Sequence, residues 1–377
     1  MVDYLIVANS GRAIAASAKQ AGYKVSVADC FVDEDTKSFS ESFQQLQYSD
    51  DGFNAEELLS HVENIISRYP DAKLVYGSGF ESNPELLEKI GKLIPIYGNS
   101  KETVVSVKDP VIFFGLLDRH GIHYPDVIYS KPAIPKKYLV KRIGGIGGNH
   151  VNWSDQEIVD INSENYYQKF IPGAVSSVVF LANGERAKLV GFNRQLQTKE
   201  FIDMPFLYQG AISLNKEAVQ ERDIVKNIVS TITRETGLKG LCGLDYIIDE
   251  EEANVLVLEV NPRPPGTFEL HEGRQSLFDA HIACFEGGLP ESTGQHNNES
   301  GFRAYAILYA KEKLFISDKV KWPGWVKDRP TYNNNIEAMF PVCTVYAEEN
   351  SIDKVKTILF NRLHKIESII VATQNET

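Results

Sequence analysis

Residues 258–270 read LEVNPRPPGTFEL and continue an apolar, β-branched run, NVLVL, at 254–258. Strand side chains alternate between faces, so Glu259, Asn261 and Arg263 share one face at about 6–7 Å per step. The Pro-Pro-Gly sequence then stops the strand. A carboxylate and an amide oxygen in a row, with a guanidinium next to them, suit a hard cation beside a phosphoryl group. The plainer alternative is a solvated acidic strand in which Arg263 pairs with Glu259, worth about 0–1 kcal/mol.

Working upstream, GLDYIID at 243–249 and the 254–261 run flank the acidic residues 249–252, which reads as a β-hairpin. Asp245 on its first arm then stands beside Glu259 on its second. Magnesium takes one or two carboxylates at about 2.0–2.1 Å and leaves its other positions to phosphate oxygens and water. Earlier still, KKYLVKRIGGIGGNHV at 136–151 reads as strand, glycine-rich turn and strand, with Lys141 just before the turn. Gly144, Gly145, Gly147 and Gly148 leave backbone amides open to a close ligand, as phosphate-cradling loops do. A Pro-Gly interruption in YYQKFIPGAVSSVVFL and an antiparallel continuation through AKLVGFNRQ complete this segment.

The N-terminal third has a different texture. DYLIVAN, the Ala-rich RAIAASAKQAGY and KVSVAD form a βαβ pattern, and further strand and helix signals follow to about residue 100. An open parallel sheet is expected, with ligands at the carboxyl ends of its strands. Gly11 stands alone where a dinucleotide fingerprint needs three glycines, so this is no NAD site. The GSGFES loop at 77–82 reads as a small-molecule contact or a plain turn. Residues 101–121 read as one helix stopped at Gly121, with His120 and His123 in packing or capping roles.

The 377 residues are 43% hydrophobic and carry a formal charge of -12, which argues against a sequence-independent grip on nucleic acid or an anionic membrane. Cys30, Cys242, Cys284 and Cys343 are widely spaced with no C-x-x-C pair, so neither a zinc site nor a disulfide framework is expected. The start of the chain lacks the features of a signal peptide and no membrane span is legible, which leads to a cytoplasmic expectation.

In this order, the lysine strand, glycine loop, hinge and carboxylate hairpin resemble the ATP-grasp superfamily of carboxylate–amine ligases. The resemblance implies an α/β (α+β ATP-grasp) fold: an N-terminal open parallel α/β domain over residues 1–100, a two-lobed ATP-grasp domain over 101–300 with its glycine-loop lobe at about 136–172, and a small C-terminal α/β domain over 301–377. It implies ATP as cosubstrate with Mg²⁺ or Mn²⁺. Lys108 and Lys141 would meet ATP phosphates, the glycine loop would close over them, and Gln168, Lys169, Phe170 and Ile171 would form the adenine hinge. Gln168 departs from the acidic residue that often opens that hinge. Asp245, Glu259 and Asn261 would hold the metal, with Arg263 at the γ-phosphate. The implied chemistry is attack by a substrate carboxylate to give an acyl-phosphate, then displacement of phosphate by an amine.

Within the superfamily, the VYGSGFE loop, EVNPRPPGTFEL and the PVCTV tail are similar to the tyramine- or tyrosine-glutamate ligases of methanofuran and methylofuran biosynthesis. Small-molecule carboxylate and amine partners follow, with a homodimer as the candidate assembly. Arg12, Arg194 and Arg274 are candidate clamps for a substrate carboxylate, and Phe201, Phe206, Tyr208 and Phe268 for an aromatic amine pocket. A carboxylase-like enzyme or a non-catalytic ATP-binding regulator are the alternatives.

Overall fold

A computed structural model describes residues 1–134, 137–155, 164–196, 204–215, 218–249, 252–290 and 301–374. Its N-terminal part is a parallel sheet in the order Ser42–Gln45, Val25–Asp29, Tyr4–Ala8, Lys73–Tyr76. The two inner strands, YLIVA and VSVAD, are buried at every residue, as parallel strands covered on both faces must be. Helix Arg12–Gln20 crosses between them. Helix Ala55–Arg68, capped by the Asn54 side chain, crosses to Lys73–Tyr76.

Where one helix was expected over 101–121 there are two, Lys101–Lys108 and Pro110–Arg119. Pro110 has no N–H and forces the preceding residue out of the helical region. Asp109 is therefore extended, and its carboxylate accepts from the Val111 and Ile112 amides at 2.9 and 3.0 Å, starting a new helix. The break leaves Lys108 at a helix end, free to turn toward the central sheet.

That sheet has eight antiparallel strands in the order Val255–Asn261, Lys239–Ile248, Ser176–Asn183, Ala187–Gln195, Gly210–Leu214, Phe302–Tyr309, Pro341–Glu349, Val326–Lys327. One face packs on helices Pro110–Arg119 and Arg222–Thr236 through Phe180, Phe192, Val229 and Leu244. On the other, Val179, Leu181 and Leu241 meet Ile6, Val27, Phe278 and Ile282 of the N-terminal sheet and helix Leu277–Phe285. The segment expected as a separate C-terminal domain has its own core, from Leu308 and Val345 to Leu359 and Ile366. Its strand Phe302–Tyr309 nevertheless pairs with Gly210–Leu214, so one sheet runs through both.

A second antiparallel sheet, ordered Val127–Ile128, Asn165–Lys169, Tyr138–Arg142, Val151–Trp153, carries the glycine-rich turn. Among the described residues no helix is long and apolar enough to cross a membrane. All four cysteines are free thiols, and Cys242, Cys284 and Cys343 are buried.

Candidate active site

The hairpin pairs Asp245 with Glu259 and Gly243 with Asn261, with a register shift just after Asp245. Cross-strand partners point to the same face, and Asp245 also faces Ser177 on the third strand. The face that is apolar at Val179, Leu181 and Leu241 therefore turns polar over its last two rows. Lys108 reaches it from the helix end: its Nζ lies 3.2 Å from Glu259 Oε2 and 3.4 Å from Asn261 Oδ1, and its side chain is 8% exposed. Asn261 Nδ2 lies 3.4 Å from Asp245 Oδ2.

Arg263 does not pair with Glu259. Its Nε donates to Glu81 Oε1 at 2.8 Å, and one Nη donates to Asn261 Oδ1 at 3.2 Å. Glu81 lies on the GSGFES loop after strand Lys73–Tyr76, so the N-terminal part of the chain supplies a member of the cluster. Burial pushes the Glu81 carboxyl up, but Arg263 and then Lys108 outweigh it and hold the group below the usual range.

The two hairpin carboxylates are driven apart in acidity. Asp245 is raised, first by burial and then by the charge of Glu259 beside it. For Glu259, burial acts upward, but Lys108 and Lys141 outweigh it and the group is lowered. Two half-buried carboxylates and an amide oxygen, with lysine contacts no shorter than 3.2 Å, form an all-oxygen donor set that fits a hard divalent cation. Among the described residues no group of three or more His, Cys, Asp or Glu could hold a metal. A magnesium ion here would thus take two carboxylates and complete its shell with phosphate and water.

Over the cluster lies the glycine-rich turn. Gly144, Gly147 and Gly148 have φ of +73°, +72° and +79°, a region that side chains resist. A Cβ on Gly144 would stand 2.3 Å from the Glu81 carbonyl oxygen, and one on Gly148 would stand 2.0 Å from that of Phe206. The turn therefore rests directly on two other segments. Lys141 faces Tyr166 across the strand pair and donates to Gln168 Oε1 at 3.3 Å. Burial opposes the charge of Lys141, but Tyr166 and Glu259 more than offset that and raise its pKa. Gln168 Nε2 is buried without a partner. Lys169 closes its strand, the Phe170 amide donates to Lys137 O at 2.8 Å, and the Phe170 ring meets Trp153 and Phe206. Ile171 follows, half-buried. The space bounded by Lys108, Lys141, Gly144, Gly145, His150, Tyr166 and Glu259 is about 20 Å³. Ligand pockets run to about 300–1,000 Å³, so the space under the glycine turn is small in this conformation.

Lys108, Lys141, Asp245, Glu259, Asn261, Arg263 and the glycine turn thus meet in one place. The three candidate carboxylate clamps do not join them. Arg12 is buried, but its guanidinium is committed to Glu269 at 2.5 Å, Asp328 at 2.8 Å and the Tyr346 hydroxyl at 3.0 Å. Arg194 is exposed and alternates with Asn193, which puts it on the helix-packed face with Phe192. Arg274 is exposed ahead of helix Leu277–Phe285. The four aromatics do not form one pocket either. Phe206 stacks near Trp153, Tyr208 shares a 2.7 Å hydrogen bond with Tyr305, and Phe268 is in the apolar core. Phe201 lies outside the described residues.

Two residues of the site went unread in the sequence. Glu81 sits 182 positions from its arginine, and only the loop's place at a strand's carboxyl end hinted at it. His150 ends the glycine motif itself. Its ring would clash at 2.2 Å with any Cβ on Gly145, its Nδ1 is buried without a partner, and burial lowers it to about 4.

This arrangement, a carboxylate hairpin under a glycine lobe with lysines from both sides, defines an ATP-grasp architecture. Residues 107–267 match the ATP-grasp domain family. Over 209 residues the chain is 25% identical to a tyramine–L-glutamate ligase of Methanocaldococcus jannaschii, covering 55% of this chain and 52% of the relative. The chain thus spans about half the length of the curated relatives it matches. Among solved structures, biotin carboxylase from Campylobacter jejuni superposes with a TM-score of 0.71 at 13% identity, covering 94% of this chain and 89% of that one. An L-amino acid ligase from Bacillus licheniformis superposes with a TM-score of 0.68 at 14% identity, covering 96% and 97%. At such identities these two likenesses concern the fold.

Proposed function

We propose that the chain is an ATP- and Mg²⁺-dependent carboxylate–amine ligase that forms an amide through an acyl-phosphate. The observation that carries this reading is the convergence of Asp245, Glu259 and Asn261 with Lys108 on one strand face and Arg263 at its edge. In this reading Asp245, Glu259 and Asn261 hold magnesium, which neutralises charge on the transferring phosphoryl group. Lys108 moves off the carboxylates onto phosphate oxygens. Lys141 and the amides of Gly144, Gly145, Gly147 and Gly148 close over the phosphates, while Gln168, Lys169, Phe170 and Ile171 border the adenine. Arg263 turns its Nη groups, now on Asn261 Oδ1 and the Pro264 carbonyl, toward the γ-phosphate. The chain's contribution is positioning and charge neutralisation rather than a nucleophilic side chain.

On the finer question of substrates, the tyramine–L-glutamate ligase relatives support glutamate as the acid and tyramine or tyrosine as the amine, and with them a place in methanofuran-type cofactor assembly. Incubation with ATP, Mg²⁺, glutamate and either amine should yield a dehydrated conjugate by mass spectrometry and equimolar ADP. Rapid ADP release with a different acid and amine would keep the ligase and remove these substrates. ADP release that needs bicarbonate and no amine would favour a carboxylase.

A further inference from the structure

We propose that Glu81 is a positioning residue for Arg263, through which the N-terminal part of the chain sets the arginine's reach toward the terminal phosphate of a bound nucleoside triphosphate. The inference rests on the ATP site proposed above. Both Glu81 oxygens have defined donors: Oε1 takes Arg263 Nε at 2.8 Å and Oε2 takes the Gly79 amide at 2.7 Å. The carboxylate is 2% exposed and cannot reorient into solvent. Anchoring the guanidinium at Nε leaves its two Nη groups as the fork, one of them 3.2 Å from Asn261 Oδ1 and so beside the carboxylate pair. The other lies 3.3 Å from the carbonyl of Pro264, a longer contact. Guanidinium geometry is planar and fixed, so holding one edge directs the opposite edge.

The same residue also supports the lid. Its carbonyl oxygen lies where a Cβ on Gly144 would stand, 2.3 Å away. Arg142, on the strand entering the glycine turn, makes ion pairs with Asp50 and Asp51 at 3.1 and 2.9 Å. Through the Gly144 contact, the glycine turn and the orientation of Arg263 share one support, the 77–82 loop, while Arg142 adds a second tie at Asp50 and Asp51. A merely structural ion pair between two parts of the chain would stabilise the fold and leave nucleotide preference alone.

Titration calorimetry with Mg²⁺-AMP-PNP and with Mg²⁺-ADP separates the two. The wild-type protein is expected to prefer the triphosphate analogue, because only it offers a γ-phosphate to Arg263. Glu81→Gln should cut that preference about tenfold, the scale of one charged hydrogen bond, and leave ADP affinity within about twofold. Glu81→Asp, which keeps the charge one methylene short, should fall between. Arg263→Lys should lose the same preference, and the double variant Glu81→Gln/Arg263→Lys should lose no more than Arg263→Lys alone. Equal weakening of both nucleotides by Glu81→Gln, an undiminished preference, or losses that multiply in the double variant would overturn the proposal. A wild-type protein that binds neither nucleotide would instead overturn the ATP site itself.

Discussion

Two clusters in this chain hold carboxylates against cations, and they are built in opposite ways. Around Glu269, Arg12 donates at 2.5 Å, Lys327 and the Tyr346 hydroxyl make further close contacts, and Asp328 takes the other side of Arg12 at 2.8 Å. Burial pushes Glu269 up, yet Arg12 and Lys327 dominate and hold it at about 2. Around Asp245 and Glu259 the contacts are 3.2–3.4 Å, and one carboxyl is raised by burial and by its neighbour's charge. The first cluster is closed: it ties the N-terminal part, the short helical turn at Gly266–His271 and the C-terminal segment with internal donors. The second is held by longer contacts and lies under the glycine-rich turn, so it suits an ion brought in with a ligand. Contact length separates a structural tie from a binding site here better than residue type does.

Breaking the second cluster should cost activity far more than stability. Glu259→Gln removes a proposed metal-ligating charge, and ADP release should fall by about 10³ or more, several kcal/mol of transition-state stabilisation. Its unfolding midpoint should fall only modestly, because Lys108 and Lys141, whose charges hold Glu259 below its usual range, lose that partner. Full turnover in this variant would assign Glu259 to the surface.

Breaking the first cluster should do the reverse. Glu269→Gln leaves Arg12 buried beside fewer charges and should destabilise the fold by about 3–5 kcal/mol in urea unfolding. Nucleotide affinity of the folded fraction should stay within about twofold of wild type.

Acid sharpens the comparison. The folded-state pKa of Glu269 lies below its ordinary value, so its contribution is complete above that value and disappears as pH falls through about 2. That contribution is on the order of 3 kcal/mol, and urea midpoints followed down the acid limb should lose it in wild type and not in Glu269→Gln. Asp245 has the opposite sign. Its raised pKa means that ionisation opposes folding as pH rises. In metal-free buffer Asp245→Asn should therefore unfold later than wild type toward alkaline pH, with the two converging in acid. This is the smallest effect of the set.

How far these clusters could be read in advance follows from the range of the contacts that build them. The Asp245–Glu259 pairing was legible because a hairpin is local: two alternating runs across a short acidic turn set the register. The parallel N-terminal sheet was legible from the βαβ pattern of its largely apolar inner strands. The break at Asp109–Pro110 was missed although its signal was present, since an acidic cap before a proline outweighs an otherwise continuous helical pattern. Arg12 was read as a substrate clamp because its partners, Glu269 and Asp328, lie 257 and 316 residues away. Arg263 was placed on the correct face, but its partner Glu81 was beyond the reach of strand periodicity. Local geometry can be read from residue order, whereas the charges that neutralise a buried group come from wherever the topology brings them.

The central claim is that the open cluster takes a magnesium ion together with a nucleotide, and calorimetric titration of the wild-type protein with AMP-PNP tests it most directly. With Mg²⁺ present the account predicts one saturable site, and with EDTA a loss of affinity of at least about tenfold, because Asp245, Glu259 and the phosphates would then face one another without the cation. Binding of equal strength in Mg²⁺ and in EDTA would contradict it.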